Sequence, residues 1–326
     1  MSTPERPHDW PSASEFIENA RAHRVGLLGP QAKVVPYTGV TGFMSPADVK
    51  AVCADAYTIS GFDTPIYGGR RLAVGVLASW KTLNGEPAGQ PGRYPKIEDV
   101  RAIIDAAAEP YAHRAEWQSE GEGTTFDLKA RCLRMIHYNS REPGLIGQIE
   151  RLCAIGGPNL DGFQLNMIWP PGDEIKALAM DYPTLRFVLQ VNRAMFSNVK
   201  RSAQLLATEI AKKYGPSITD VLFDMSGGTG QEIDLAEAEQ VLDALYGALG
   251  GADAGGVGIG VAGGLHWQNV VRLRPLFDRW PDLSIDAEGR LRDKANDALN
   301  AELAREYVRR AAGSMPHRTP ETKTAL

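Results

Sequence analysis

The chain has 326 residues, of which 43% are hydrophobic and 23% charged, and 35 Lys and Arg residues against 40 Asp and Glu residues give a formal net charge of −5. This composition is typical of a folded globular protein, and 34 Gly and 21 Pro residues are too few for a collagen-like or disordered chain. The net negative charge argues against a nucleic-acid partner held by bulk positive charge. The length suits either two ordinary domains or one large barrel.

The sequence also carries signals of cellular location. We find no apolar run of the ~18–20 residues that a membrane-spanning helix needs. Residues 1–10 lack the apolar core of a secretion signal. Cys53, Cys132 and Cys153 are widely spaced, without a C-x-x-C pair. We therefore expect reduced, packed thiols in a cytoplasmic protein without membrane contact.

Short β-rich runs alternate with helical segments along the chain. The runs are rich in Val, Ile, Leu and Phe, a pattern typical of a parallel sheet that is buried on both faces. They lie at Val34–Gly39, Leu72–Ala78, Cys132–Tyr138, Gly162–Ile168, Arg186–Val191, Asp220–Met225, Gly256–Ala262 and Leu283–Ala287. The first helical segment opens at Ser45–Pro46, and the others are Ile97–Ala108, Leu145–Ile155, Asp173–Met180, Ser197–Lys213, Leu235–Leu249, Trp267–Phe277 and Lys294–Ala311.

Eight such units in about 280 residues predict an α/β fold, a (β/α)8 TIM barrel with an N-terminal extension. An open, doubly wound sheet would also alternate strands and helices. Every strand and helix predicted after residue 30 belongs to one of the eight units, however, and this count favours the barrel. We expect residues 1–30 to form the extension, with a helix at Ser14–Arg24. Residues 31–313 should form a single barrel domain, and residues 314–326 a mobile tail.

Two segments are longer than a connection between a strand and a helix usually requires. Trp80–Lys96 is rich in Gly and Pro and follows the second strand, on the face where barrel active sites lie. It is therefore either a lid over the site or a solvated insertion. Ala115–Thr125 follows a helix, so we expect it on the opposite face and assign it no function.

Polar residues interrupt the apolar runs near the C-terminal ends of five strands, where a barrel carries its chemistry. Residues two apart on a strand share a direction. Burying an amide or carboxylate without a partner costs about 1–3 kcal/mol, so these residues either satisfy one another or line a polar ligand pocket. Agreement among five strands favours the pocket. The residues are His137 and Asn139, Gln164 and Asn166, Gln190 and Asn192, Asp224 and Ser226, and Asp286 and Glu288.

Glycine-rich turns follow the sixth and seventh strands. Glycine lets the backbone approach a ligand closely, and free N–H groups in such turns can bind an anion. No Lys follows these glycines, so neither turn is a P-loop. The turns after strands seven and eight, with a helix N-terminus, commonly bind phosphate in this architecture. The candidate residues are Gly227, Gly228, Thr229 and Gly230 after strand six, Gly263 and Gly264 after strand seven, and Gly289 after strand eight.

These motifs resemble those of phosphoribosylanthranilate isomerase, a ribulose-phosphate-binding TIM barrel of the tryptophan pathway. In that family one strand ends in Asp before a Gly-Gly-Thr-Gly loop, and the next ends in Ala-Gly-Gly-Leu before an Asn-Val pair. The resemblance is good over residues 219–271 and fainter elsewhere. The matching residues are Asp224, Gly227–Gly230, Asp234, Ala262–Leu265, Asn269 and Val270, and more faintly Gln164–Asn166 and Thr38–Thr41.

The resemblance implies acid/base isomerisation of a phosphorylated sugar or sugar-like molecule, an Amadori rearrangement, with Asp224 as the general acid. In the family a strand-one Cys takes the proton from C2, and this chain diverges there because Thr38 stands at that position. His137, Asp286 and Glu288 are candidate replacement bases. Gln164, Asn166, Gln190 and Asn192 join the glycines above as candidate substrate-binding residues. The resemblance implies no cofactor or metal; the expected partner is a small-molecule substrate, and a homodimer is left open.

The eighth strand departs from the family, since Asp286-Ala287-Glu288-Gly289 replaces small hydroxyl residues before Gly. Two carboxylates repel a phosphate dianion unless Arg290 and Arg292 compensate. Alternatively, Asp286 and Glu288 could bind a divalent cation or a sugar hydroxyl.

Two other functions stay open beside the isomerase. One is a catalytically inactive barrel that serves as a ligand-binding or assembly protein. The other is a metal-assisted lyase or hydrolase that uses Asp286 and Glu288. A Schiff-base aldolase is disfavoured, because no Lys lies near the C-terminal end of a predicted strand.

Overall fold

Eight parallel strands form a closed barrel in the computed structural model of the protein, which describes residues 34–58, 70–90, 92–108, 132–224, 226, 231–252 and 256–315. Each strand pairs with the next along the chain, and the eighth returns to the first, so the predicted (β/α)8 barrel is confirmed. The strands are β1 (Tyr37–Thr41), β2 (Arg71–Ser79), β3 (Cys132–Asn139), β4 (Gly162–Leu165), β5 (Arg186–Val191), β6 (Asp220–Asp224), β7 (Gly258–Ala262) and β8 (Ser284–Ala287).

Helices surround the barrel, and side chains cap the first turns of several of them. A side-chain oxygen of Asn192, Ser202, Asp234 or Asn300 accepts a hydrogen bond from a backbone N–H of the helix that follows it. The described helices are α1 (Pro46–Thr58), α2 (Trp80–Leu83), α3 (Val100–Ala108), α4 (Leu145–Gly156), α5 (Gly172–Asp181), α6 (Arg193–Asn198), α7 (Ala203–Lys213), α8 (Leu235–Leu249), α9 (Arg274–Arg279) and α10 (Ala301–Ser314).

The side chains of each strand alternate between the barrel interior and the helices. On β1, Tyr37 belongs to an apolar cluster inside the barrel, and Thr41 contacts side chains of β3 and β8 there. Thr38 and Val40 therefore face the helices. Every residue of β1 is buried, because both of its faces are covered.

Two apolar layers hold the barrel together. The larger lies between the strands and the helices. The smaller lies inside the barrel, mostly in its lower half, and comprises Tyr37, Ala73, Leu133, Met135, Val188 and Leu222, with Ala262 at the end of β7. Beneath it, where the strands begin, Arg186 Nη2 lies 2.5 Å from Asp220 Oδ1, and the Arg186 guanidinium packs over the Tyr37 ring. The open end of the barrel is therefore the end at which the strands finish.

Several predicted strand and helix boundaries are wrong. β1 begins at Tyr37, not Val34, and Pro36 before it has no N–H to give to a sheet. β4 ends at Leu165, three residues before its predicted end. The predicted helix Ser197–Lys213 is two helices, α6 and α7, because Lys200 and Arg201 adopt left-handed φ values of 53° and 56° between them.

The last two predicted helices also begin later than expected. The predicted Trp267–Phe277 segment is a 3-10 turn at Val270–Leu273 followed by α9, in whose first turn Pro275 lies. The final helix begins at Ala301 rather than Lys294, since Asn300 caps it.

Some predictions fall outside the described residues. These are the helix at Ser14–Arg24, the segment Ala115–Thr125, the turn Gly227–Gly230 and most of the tail at residues 314–326. In the described part of the chain, no helix combines the length and apolar character needed to cross a membrane. The three cysteine side chains are buried.

Thr38→Val tests the placement of Thr38 on the helix-facing side of β1. The Thr38 hydroxyl is fully buried and has no hydrogen-bond partner in the described structure. A methyl group in its place should leave the free energy of unfolding unchanged or raise it by up to about 1 kcal/mol, measured by urea denaturation. Thr41→Val is the matched control and should destabilise, because its hydroxyl has buried partners. A larger loss in Thr38→Val than in the control would contradict the placement.

Candidate active site

Polar side chains fill the upper half of the barrel interior, directly above the apolar cluster. Each continues an inward-facing row: His137 follows Met135, Gln190 follows Val188, and Asp224 follows Leu222. Buried polar groups need hydrogen-bond partners, and here they find them on other strands. The residues are Thr41, His137, Gln164, Gln190, Asp224 and Asp286, none of them more than 7% exposed.

One hydrogen-bonded group runs from β4 to β6. Gln164 Nε2 donates to Gln190 Oε1 at 3.0 Å, and Gln190 Nε2 donates to Asp224 Oδ2 at 2.8 Å. The backbone N–H and the hydroxyl of Ser226 each donate to Asp224 Oδ1 at 2.9 Å. Asp224 thus accepts three hydrogen bonds, one from Gln190 and two from Ser226.

A second group joins β1, β3 and β8. Thr41 Oγ1 lies 3.1 and 3.2 Å from the two carboxyl oxygens of Asp286, and 3.2 Å from Nδ1 of His137. Glycines make the space for this group. A Cβ at Gly39 would overlap the Asp286 carboxyl, and a Cβ at Gly75 would crowd Thr41 and the His137 ring.

A polar cavity of about 50 Å³ opens at the mouth of the barrel above both groups. This is more than the ~10–15 Å³ that a single water requires. Its walls bring together three predicted catalytic residues, Asp224, Asp286 and Glu288, with predicted binding residues and one arginine. The full lining is Arg93, Gln164, Gln190, Asp224, Ser226, Ala262, Gly263, Gly264, Asp286, Glu288 and Gly289.

Asp286 differs from Asp224 in its surroundings. Burial raises the pKa of Asp286 to about 8, the negative charges of Glu288 and Asp224 also raise it, and the hydrogen bond from Thr41 opposes them. Asp286 therefore holds a proton at neutral pH, whereas Asp224 is surrounded by hydrogen-bond donors. Two carboxyl groups in one cavity with such different environments are suited to acid and base roles.

His137 lies deeper than the cavity. It lines a smaller space of about 10 Å³ inside the barrel, together with Tyr37 and Arg186. Burial lowers the pKa of His137 to about 3, so the imidazole is neutral. Its contact with Thr41 lets it influence Asp286 only through that hydroxyl.

Other predicted site residues lie away from the cavity or outside the described structure. Thr38 faces the helices. Asn192 caps α6, its Oδ1 accepting the N–H of Met195 at 3.0 Å. Asn166 follows β4 but is absent from the cavity lining. Gly227, Gly228, Thr229 and Gly230 are not among the described residues.

Part of the Trp80–Lys96 insertion borders the mouth. Arg93 Nε and Nη2 lie 2.5 and 3.2 Å from the Asp297 carboxylate, and Arg93 Nη1 lies 3.3 Å from Glu288 Oε1. Arg292 Nη2 contacts the same Glu288 oxygen at 3.3 Å. Burial raises the pKa of Glu288, and Arg292 and Arg93 lower it. Glu288 therefore joins the insertion to the turn after β8.

The sequence patterns did not single out Thr41 or Arg93 as site residues. Thr41 could have been found, because it shares its direction on β1 with Gly39, two positions earlier. Arg93 carried no signal, since its partners Asp297 and Glu288 are about 200 residues away along the chain.

The described residues contain no group of three or more His, Cys, Asp and Glu side chains arranged to hold a metal ion. Asp286 and Glu288, the alternative cation ligands, both line the cavity. The Glu288 carboxylate is already in contact with two guanidinium groups.

The chain matches no protein-family model and no curated protein, but solved structures share its fold. Phosphoribosyl anthranilate isomerase from Thermus thermophilus has a TM-score of 0.51 and 17% identity, over 85% of this chain and 98% of that chain. TrpF from Jonesia denitrificans has a TM-score of 0.50 and 13% identity, over 86% and 98% of the two chains. At these identities the likeness establishes the fold, and the activity has to be argued from the site.

Asp286→Asn should change how stability depends on pH. Near pH 3.8 and below, Asp286 is protonated in both states, whereas up to about pH 8 only the folded state keeps the proton. Its contribution to stability therefore falls as pH rises through this window and levels off above it. The variant lacks this loss and should be more stable than wild type at pH 8, by a few kcal/mol at most, in urea denaturation across that range. Asp278→Asn, at an exposed ion pair, is the control, and a wild-type pH slope in Asp286→Asn would contradict the burial effect.

Thr41→Val should raise the pKa of Asp286 above about 8, because it removes the hydrogen bond that lowers it. A carboxyl ¹³C NMR titration measures this directly, with Asp286→Asn to assign the resonance. Thr38→Val removes a hydroxyl from the opposite side of the same strand and should leave the titration unchanged. A lowered pKa in Thr41→Val would show that the hydroxyl does not donate to Asp286.

Proposed function

We propose that the protein is an enzyme that isomerises a small sugar-like molecule by acid/base chemistry, in the manner of a phosphoribosylanthranilate isomerase. The motifs in residues 219–271 indicate the reaction class. The phosphoribosyl anthranilate isomerase from Thermus thermophilus, whose fold this chain shares with a TM-score of 0.51, supports it. The observation that carries the proposal is the pair of carboxyl groups, Asp224 and Asp286, that line one cavity in different surroundings.

The two carboxyl groups supply the two proton transfers that an isomerisation needs. In an Amadori-type rearrangement the substrate carries an amino group at C1. An acid protonates the sugar ring oxygen, the C1–O bond breaks to leave a hydroxyl, and the nitrogen lone pair forms a C1=N iminium. A base then removes the proton from C2, so that a C1=C2 bond forms and the C=N pair returns to nitrogen, and the resulting enaminol becomes the ketone by losing its O2 proton and gaining one at C1. The sequence motif gives Asp224 the acid role. The surroundings favour the opposite starting states, with the proton on Asp286 and Asp224 as the base. Either assignment uses the same pair and requires no cysteine on β1.

The other candidate bases have weaker support. Thr38 is directed at the helices. His137 is neutral and lies below the cavity, and its lowered pKa makes it a poor proton acceptor. Glu288 lines the cavity, but two arginines already contact it.

The cavity walls support a ligand rich in hydroxyl groups. The amides of Gln164 and Gln190 and the carboxyl groups provide donors and acceptors around a small volume. Glycines at positions 263, 264 and 289 present backbone without side chains. Such a surface is suited to a compact polyol.

Asp224→Asn and Asp286→Asn should each lower kcat by at least about 100-fold, because each removes one partner in proton transfer. Ligand binding, followed by thermal shift, should survive both changes. Turnover would be measured with phosphoribosylanthranilate and its phosphate-free analogue, and Asp278→Asn, an exposed carboxylate, is the matched control. Retained turnover in both cavity variants would remove the carboxyl pair from the mechanism, and wild-type binding without turnover would indicate a ligand-binding barrel instead.

The pH profile distinguishes the two assignments. If Asp286 is the acid, kcat/KM should fall as pH rises above about 8, where the free enzyme loses that proton. Thr41→Val should then shift this fall in kcat/KM to higher pH, in parallel with its effect on the titration of Asp286. If kcat/KM of Thr41→Val falls at the same pH as that of wild type, another group is the acid, and Asp224 is the next candidate.

A further inference from the structure

The turns after β7 and β8 form the wall where (β/α)8 barrels commonly bind a phosphate group. In this chain Gly263, Gly264 and Gly289 line that wall, as such a site requires. Glu288 stands among them, and its side chain is 30% exposed. A carboxylate thus occupies the wall that would face a phosphate.

The two arginines that contact Glu288 are already paired. Arg93 uses three nitrogen atoms to contact Asp297 and Glu288. Arg292 has a side chain only 2% exposed, and it binds Glu288 Oε1 and the Asp297 carbonyl oxygen. Gly42, with a φ of 109°, leaves room for the Arg292 guanidinium, since a Cβ there would collide with it. The backbone is therefore shaped to hold Arg292 against Glu288.

The remaining charge of the cavity is negative. Among the described lining residues, Asp224, Asp286 and Glu288 carry carboxyl groups and Arg93 is the single cation. Arg290, expected from the sequence to compensate, is exposed and absent from the lining. Residues 227–230 lie outside the described structure, and their sequence, Gly-Gly-Thr-Gly, contains no charged side chain. The helical turn after Glu288 spans only Gly289–Leu291, too short to offset a carboxylate with its dipole.

We propose that Glu288, held by Arg93 and Arg292, takes the place of a substrate phosphate, so that the site selects a sugar-like substrate without a phosphate group. This inference rests on the proposed function and narrows its substrate class. Arg93 and Arg292 provide positive charge beside this wall; Glu288 contacts both of them, and Asp297 contacts Arg93 as well. A free phosphate would have to displace Glu288 and then lie beside Asp224 and the protonated Asp286.

The first test measures binding of inorganic phosphate by calorimetry. Glu288→Gln keeps the side-chain shape and should bind phosphate at least about tenfold more tightly than wild type, because it removes a negative charge from the cavity wall and from its contact with Arg93, the arginine that lines the cavity. Glu239→Gln, which breaks an exposed ion pair between Glu239 on α8 and Arg279 on α9, is the control and should match wild type. Adding Arg93→Gln to Glu288→Gln should abolish the gain. If Glu288→Gln binds phosphate no more tightly than wild type does, the inference is overturned.

The second test compares ribulose with ribulose 5-phosphate as a matched pair, using thermal shift and calorimetry. Wild type should bind the phosphate-free sugar more tightly, and Glu288→Gln should shift the preference towards the phosphate ester. A wild-type preference for the ester would overturn the inference. Both tests measure binding, so they give an answer even if Asp224 and Asp286 prove not to be catalytic, and a failure here leaves the acid/base pair untouched.

Discussion

Closure of the barrel sends every second strand residue into an interior that water reaches only at the mouth, so each polar group there must find a partner on another strand. This constraint organises the whole upper half of the molecule. Gln164, Gln190 and Asp224 satisfy one another across three neighbouring strands, and Thr41 joins Asp286 to His137. Where a side chain would block the arrangement, the chain has glycine, as at Gly39. Hydrogen bonding and catalytic suitability thus have the same origin, because four of these hydrogen-bonded residues, Gln164, Gln190, Asp224 and Asp286, also line the cavity.

The fold could be predicted from the sequence because the apolar runs are local signals that repeat. Eight runs and the absence of a leftover segment were enough to favour a closed barrel over an open sheet. The errors lie where a single residue overrides the pattern. Apolar periodicity continues through residues 197–213, but left-handed backbone at Lys200 and Arg201 ends one helix before the next begins. Likewise, residues 294–300 resemble a helix start, yet the cap at Asn300 sets the boundary.

The site was predictable only in part, because several side-chain roles depend on contacts that strand alternation does not describe. Alternation on the strands directs attention to Asp224 and Asp286, which line the cavity, because a period of two is a property of the local chain. It cannot show that Asn192 is used as a helix cap, which depends on the turn that follows. Nor does alternation show which residues of β1 face the barrel interior. Motif similarity indicated Thr38, which lies on the opposite face of β1 from Thr41. The ion pairs of Arg93 join segments about 200 residues apart, and no pattern in one sequence reveals them.

Glu288 connects substrate choice with acid/base chemistry. Its charge is the largest influence on the pKa of Asp286 after burial, and it acts in the same direction. A carboxylate at this position therefore helps to keep Asp286 protonated while it neutralises Arg93 and Arg292. A bound phosphate could exert a similar charge, but only while substrate is present. A carboxylate that belongs to the chain exerts it in the free protein as well, so the proton on Asp286 is in place before a neutral substrate arrives. Glu288 thus departs from the phosphate-binding pattern at the eighth strand and, together with burial, keeps the proton on Asp286 at neutral pH.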